Sequence, residues 1–110
     1  MPGLYELKKN DSDQFSFALK AENGEVILRS ELYETKPSAQ NGIASVQKNS
    51  PLEERYERKT ATDGRFYFTL KAANHQVIGT GQMYKSADAR DTGIASVKSH
   101  GPSVTVTDST

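Results

Sequence analysis

Sliding the 110-residue sequence against itself by 51 positions aligns residues 5–51 with residues 56–102 without a gap. Tyr5 meets Tyr56, Phe15 meets Phe66, Phe17 meets Phe68, Leu19 meets Leu70 and Tyr33 meets Tyr84, and the run GIASV begins at both Gly42 and Gly93. Self-similarity at a fixed period means that one supersecondary unit is used twice. Whatever explains a residue in one copy should therefore explain its counterpart. Residues 4–52 and 55–107 are read as two repeats of a single domain spanning residues 1–110. A unit of about 50 residues buries too little surface to hold a core with any margin. The two copies are expected to share one, joined edge to edge or face to face about a pseudo-two-fold axis.

Within each copy the period of the apolar residues changes once. QFSFALKA alternates apolar and polar, which places Phe15, Phe17, Leu19 and Ala21 on one side of a strand. Asn23-Gly24 then separates two β-prone runs, a hairpin signal. The second copy has Asn74-His75 there, and histidine takes a left-handed conformation less readily than glycine, so that turn is expected to differ in detail. LYELKK and RYERKT precede the hairpins and read as one further short strand each. Three antiparallel strands per copy is the result.

After Tyr33 the spacing becomes helical. Thr35 and Ser86 stand at equivalent positions and suit an N-cap, and Pro37 falls in the first turn where its missing N–H costs little. Ala39, Ile43 and Val46 form one apolar stripe, repeated by Ile94 and Val97. Lys48 and Lys98 suit the negative end of the helix dipole, and Gly101-Pro102 stops the second helix. A glycine inside a helix costs roughly 0.5–1 kcal/mol relative to alanine. Gly42 and Gly93 therefore imply close approach of another backbone or a large ring, the twin helix being one such neighbour. The tail PSVTVTDST adds a strand-like run at residues 104–107 that has no close counterpart in the PLEERYE junction and is expected to close a sheet edge.

Composition narrows the chemistry. The formal net charge is zero, so no general pull toward nucleic acid or an anionic membrane is expected. No apolar run approaches the roughly 20 residues of a membrane span. The N-terminal MPGLYELKKN lacks the apolar stretch of a signal peptide, and a cytoplasmic protein is the expectation. With no cysteine in the chain, disulfides, zinc–thiolate sites and thiol catalysis are excluded. No phosphate-binding loop is present. His75 and His100 lack a carboxylate pattern and read as a turn residue and a helix-end residue. Ser45 and Ser96 recur without a base nearby in sequence and read as small packing residues. No catalytic residue, metal ligand or cofactor is assigned.

The pattern FxFxLKAxNxxVI, then a tyrosine, then NGIASVxKN closely resembles the YegP-like proteins, small bacterial proteins of unknown function that carry one or two copies of this unit. The resemblance covers residues 5–102; the second copy departs where GTGQMY replaces LRSELY and at His75. It implies an α+β fold of two tandem β-β-β-α-β repeats, forming one mainly antiparallel sheet with two helices packed on one face and C-terminal strands exchanged between the repeats. It further implies that single-copy relatives are homodimers and that this chain is a covalent version of one, a monomer with internal pseudo-two-fold symmetry. The family brings no established activity, ligand or catalytic residue.

Three classes of function are compatible with these features. The leading one is a non-enzymatic module that binds a protein or a small molecule, with no membrane partner. Nucleic-acid binding through an exposed sheet face is the second, with Tyr67, Lys20, Lys71 and Arg65 supplying stacking and phosphate contacts, and zero net charge counts against it. An enzyme with its site between the repeats is the third. The candidate binding surface consists of the duplicated Lys20, Lys71, Tyr33 and Tyr84 together with Gly79 and Gly81. Those glycines stand where the first copy has Leu28 and Ser30. Either the glycines mark a bulge or a space filled by other side chains (Met83, Tyr84 or the C-terminal strand), or a shallow pocket exists in the second half alone.

Overall fold

Alternation along the first strand buries Tyr5 and Leu7 and leaves Glu6 and Lys8 on the opposite face, and the same rule runs through both repeats. A computed structural model describes residues 3–110. The first repeat forms β1 (Leu4–Lys9), β2 (Phe15–Lys20), β3 (Val26–Arg29) and α1 (Lys36–Asn49). The second forms β4 (Tyr56–Thr60), β5 (Phe66–Lys71), β6 (Val77–Thr80), α2 (Ala87–His100) and β7 (Val106–Asp108). The strands make one seven-stranded sheet in the order β4-β5-β6-β3-β2-β1-β7, antiparallel except where β7 runs parallel to β1. Both helices start as expected: the Thr35 hydroxyl accepts the Ser38 N–H at 3.2 Å and the Ser86 hydroxyl accepts the Ala89 N–H at 3.0 Å.

The repeats meet edge to edge. β3 pairs with β6 through Arg29 and Thr80, which are counterparts under the 51-residue shift, so the pseudo-two-fold axis passes through that pair. Each helix lies over both halves: α1 packs on β2 of its own repeat and on β5 and β6 of the other, and α2 on β5 of its own and on β2 and β3 of the other. The stripe residues Ala39, Ile43, Val46, Ile94 and Val97 join Phe17, Leu19, Phe68 and Leu70 in one core. Reciprocal hydrogen bonds tie the halves further. The Tyr5 hydroxyl donates to the Gly101 carbonyl at 2.5 Å and the Tyr56 hydroxyl to the Ser50 carbonyl at 2.6 Å. The first strand of each repeat thus holds the C-terminal end of the other repeat's helix.

Two expectations need correction. Exchange of C-terminal strands occurs once: β7 leaves the second repeat to line β1, held by the Tyr5 N–H on the Thr105 carbonyl at 2.9 Å and the Ser109 N–H on the Leu7 carbonyl at 2.8 Å. In the first repeat the corresponding segment, Glu53–Arg55, makes a single 3-10 turn and runs directly into β4, because the junction is too short to visit an edge and return. The outer edge of β4 instead carries Glu57, Arg58 and Lys59, charges that discourage strand addition. The two hairpin turns, expected to differ, match: His75 adopts φ 71° where Gly24 adopts φ 85°, and Asn23 and Asn74 each accept the N–H two residues on, at 3.0 and 3.1 Å.

The helix glycines do face a large ring, as one of the expected alternatives: the tyrosine of the same repeat, and not the twin helix. A Cβ at Gly42 would lie 2.5 Å from the Tyr33 hydroxyl and 2.9 Å from the Phe17 ring, and one at Gly93 would overlap the Tyr84 hydroxyl. Tyr33 stacks on Phe17 at 6.2 Å and Tyr84 on Phe68 at 6.5 Å, so neither ring retreats freely. Gly42→Ala is expected to destabilise by about 1 kcal/mol, the clash exceeding the gain in helix propensity. Urea unfolding checks this; a higher midpoint would show that the rings simply move aside.

Candidate functional site

Strand alternation and helix register divide the candidate residues among three places. Lys20 and Lys71 lie on the sheet face away from the helices. Lys20 pairs with Glu6 at 3.1 Å and Lys8 pairs with the same carboxylate at 3.3 Å; Lys71 and Lys59 repeat this on Glu57 at 3.0 and 3.4 Å. Hydrogen bonds from Lys20 and then Lys8 hold the Glu6 carboxyl below its ordinary range, and Lys71 and then Lys59 do the same for Glu57. Each lysine pair therefore shares an anion, and Arg65 is similarly engaged with Asp63 at 2.7 Å. Arg29 stands between the two triads. In the first repeat, Lys8, Lys20 and Arg29 rim a shallow concavity of about 260 Å³ whose lining includes Ser16 and Ala18. Tyr67 and Thr69 stand at those positions in the second repeat.

Gly79 and Gly81 lie beneath the helices, and the space left by their missing side chains is filled from elsewhere. A Cβ at Gly79 would come within 2.6 Å of Leu28, its own counterpart across the pseudo-axis, and one at Gly81 would meet the Phe68 ring. Of the two alternatives, the space is filled and no shallow pocket opens at these glycines, but the filling groups are Leu28 and Phe68 in place of Met83, Tyr84 or the C-terminal strand.

Tyr33 and Tyr84 are half-buried on the helix side, and Tyr84 borders a groove of about 450 Å³ at the seam. One wall is the β2–β3 hairpin of the first repeat, with Ala21, Asn23, Glu25 and Ile27; the other is α2, with Ala89, Thr92, Gly93 and Ser96. Burial, and then the nearby Glu25 carboxylate, raise the Tyr84 hydroxyl above the ordinary phenol range. Glu25 and Ile27 were absent from the sequence-derived candidates. The signal for Glu25 is the aligned difference Glu25 against Gln76; nothing local in the chain marks Ile27 as a wall of the groove. A second groove of about 390 Å³ lies between the end of α1 and the β5–β6 hairpin, bordered by Lys48, Leu52 and Arg55. The two seam grooves thus carry opposite charge.

Ser96 also has a base beside it, contrary to the sequence reading: His100 is one helical turn on, with Nδ1 3.2 Å from the Ser96 hydroxyl. The same Nδ1 is 2.8 Å from the Ser96 carbonyl. A carbonyl only accepts, so Nδ1 carries the proton and is not available to take one from the hydroxyl. The counterpart pair repeats the pattern without an imidazole, the Asn49 amide donating to the Ser45 carbonyl at 2.8 Å. Side-chain capping of the last helical turn accounts for both.

A family described as a domain of unknown function, DUF1508, matches residues 10–57 and again residues 61–108. The chain belongs to this family. It is similar to UPF0339 protein YegP of Escherichia coli strain K12, 64% identical over 110 residues with all of both chains covered. It is 59% identical to a UPF0339 protein of Shewanella oneidensis over 110 residues, again covering both chains fully. Its fold matches the solution structure of Escherichia coli yegP, described as a protein of unknown function, with a TM-score of 0.94 at 63% identity, covering 99% of this chain and 94% of that one. The DUF1508 repeat is thus an α+β unit, here present twice in one sheet with two helices.

Proposed function

We propose that this protein is a non-enzymatic small-ligand-binding module whose site is the seam groove beside Tyr84. The observation that carries the reading is the composition of the walls: a hairpin from one repeat and a helix from the other, so the groove exists only in the assembled tandem fold. Residues 4–52 and 55–107 are its two units, and the chain acts as a monomer, since each repeat already supplies the edge and helix surface that the other needs; the cytoplasm is its proposed location. The non-enzymatic reading is supported at the Ser96–His100 pair, where the ring nitrogen nearest the Ser96 hydroxyl also faces the Ser96 carbonyl and so donates. No helix among the described residues is long and apolar enough to cross a membrane.

Amide shift mapping with a library of small organic fragments tests the site. Saturable shifts are expected at residues 21–27 and 84–96. Shifts confined to Lys8, Lys20 and Arg29 on adding a single-stranded oligonucleotide, with none at the seam, would replace this reading by nucleic-acid binding on the open sheet face.

A further inference from the structure

We infer that the seam groove beside Tyr84 takes a protonated amine carried on an apolar body. The inference rests on the reading above that this groove is a ligand site, and it assigns the ligand's chemical class. Among the residues lining the groove, Glu25 is the one charged side chain, and it makes no ion pair with a described residue. The remaining polar groups are largely engaged: Asn23 Oδ1 accepts the Glu25 N–H at 3.0 Å, and the Thr92 hydroxyl donates to the Asp88 carbonyl at 3.0 Å. The Ser96 hydroxyl lies 3.2 Å from His100, and the Asn23 amide nitrogen can only donate. The groups able to accept from an ammonium with a negative charge or an oxygen lone pair are therefore led by the Glu25 carboxylate, with the Tyr84 hydroxyl beside it. Ala21, Ile27, Ala89 and Gly93 supply apolar surface beside them, suited to an alkyl or aryl body.

The other half gives an internal contrast. Gln76 replaces Glu25 on the other hairpin. The groove between that hairpin and the end of α1, which shares only Ala72, Asn74 and Ser45 with the positions equivalent to this one, is bordered by Lys48 and Arg55, which repel an ammonium. Preference for a cation is therefore a property of one groove and not of the repeat. The hairpin that carries Glu25 is held by the Ala21 N–H on the Glu25 carbonyl at 2.9 Å, so the acid stands on an ordered turn.

Titration of the full chain with n-hexylammonium, n-hexanol and hexanoate, followed by amide shifts, tests both levels. The expected result is saturable shifting at Ile27, Gly93 and Ser96 that is tightest with n-hexylammonium. Glu25→Gln should weaken that binding about tenfold and leave n-hexanol binding unchanged, as loss of one charge-assisted contact requires. If n-hexanol or hexanoate binds in the groove as tightly as the amine, or if Glu25→Gln has no effect on the amine, the site stands and the cationic class is overturned. If none of the three shifts these residues, the site falls with it.

Discussion

Residues 1–52 expressed alone are expected to give an unfolded chain or a dimer, and no folded monomer. In the intact protein α1 covers β5 and β6 as well as β2, so the isolated fragment exposes much of its apolar stripe. It also loses the Tyr56 hydroxyl that satisfies the Ser50 carbonyl, and the β7 strand that closes β1. Fifty residues with half a core fall below what a domain of this size needs for independent stability. Dimerisation restores the cover over the stripe and places Tyr5 of a second fragment on the Ser50 carbonyl, while the β7 contact, whose equivalent lies beyond residue 52, stays absent. Sedimentation equilibrium together with amide dispersion distinguishes the outcomes, and a well-dispersed monomeric spectrum would contradict the shared core.

Gly79→Leu is expected to destabilise strongly, because the new side chain enters space already taken by Leu28, and overpacking of this kind costs about 1–3 kcal/mol or more. Leu28→Gly alone leaves a cavity, at about 2–5 kcal/mol. Leu28 and Gly79 are counterparts on either side of the Arg29–Thr80 pair, so the double variant moves the leucine to the mirror position. Its destabilisation should fall short of the sum of the single effects by 1 kcal/mol or more, on the order of the coupling seen between residues in contact. Strict additivity of the urea-derived free energies would show that the two positions do not share one space.

What the sequence made legible was what it wrote locally. The strands from Phe15 and Phe66, the caps at Thr35 and Ser86 and the stripe through Ile43 and Ile94 each rest on patterns a few residues long, and the repeat states each of them twice. The partners of Gly42 and Gly79 were hidden because they depend on where a ring or a leucine arrives from another element. Only one C-terminal strand crosses to the other repeat because the first repeat's chain continues into β4, a consequence of connection length that the family pattern does not encode. The Ser96–His100 pair was in principle readable, since residues four apart on a helix share a face. The seam groove was not, because Glu25 and Tyr84 come from different repeats and meet only through sheet assembly.

The claim that two repeats make one cooperative structure is tested most directly by native-state hydrogen exchange on the intact chain across increasing denaturant. The core amides of β2 and β5 should exchange with the same free energy and the same denaturant dependence, both equal to those of global unfolding. A lower free energy and a distinctly smaller denaturant dependence for either strand would mean that one repeat opens while the other stays folded, and the shared core would have to be abandoned.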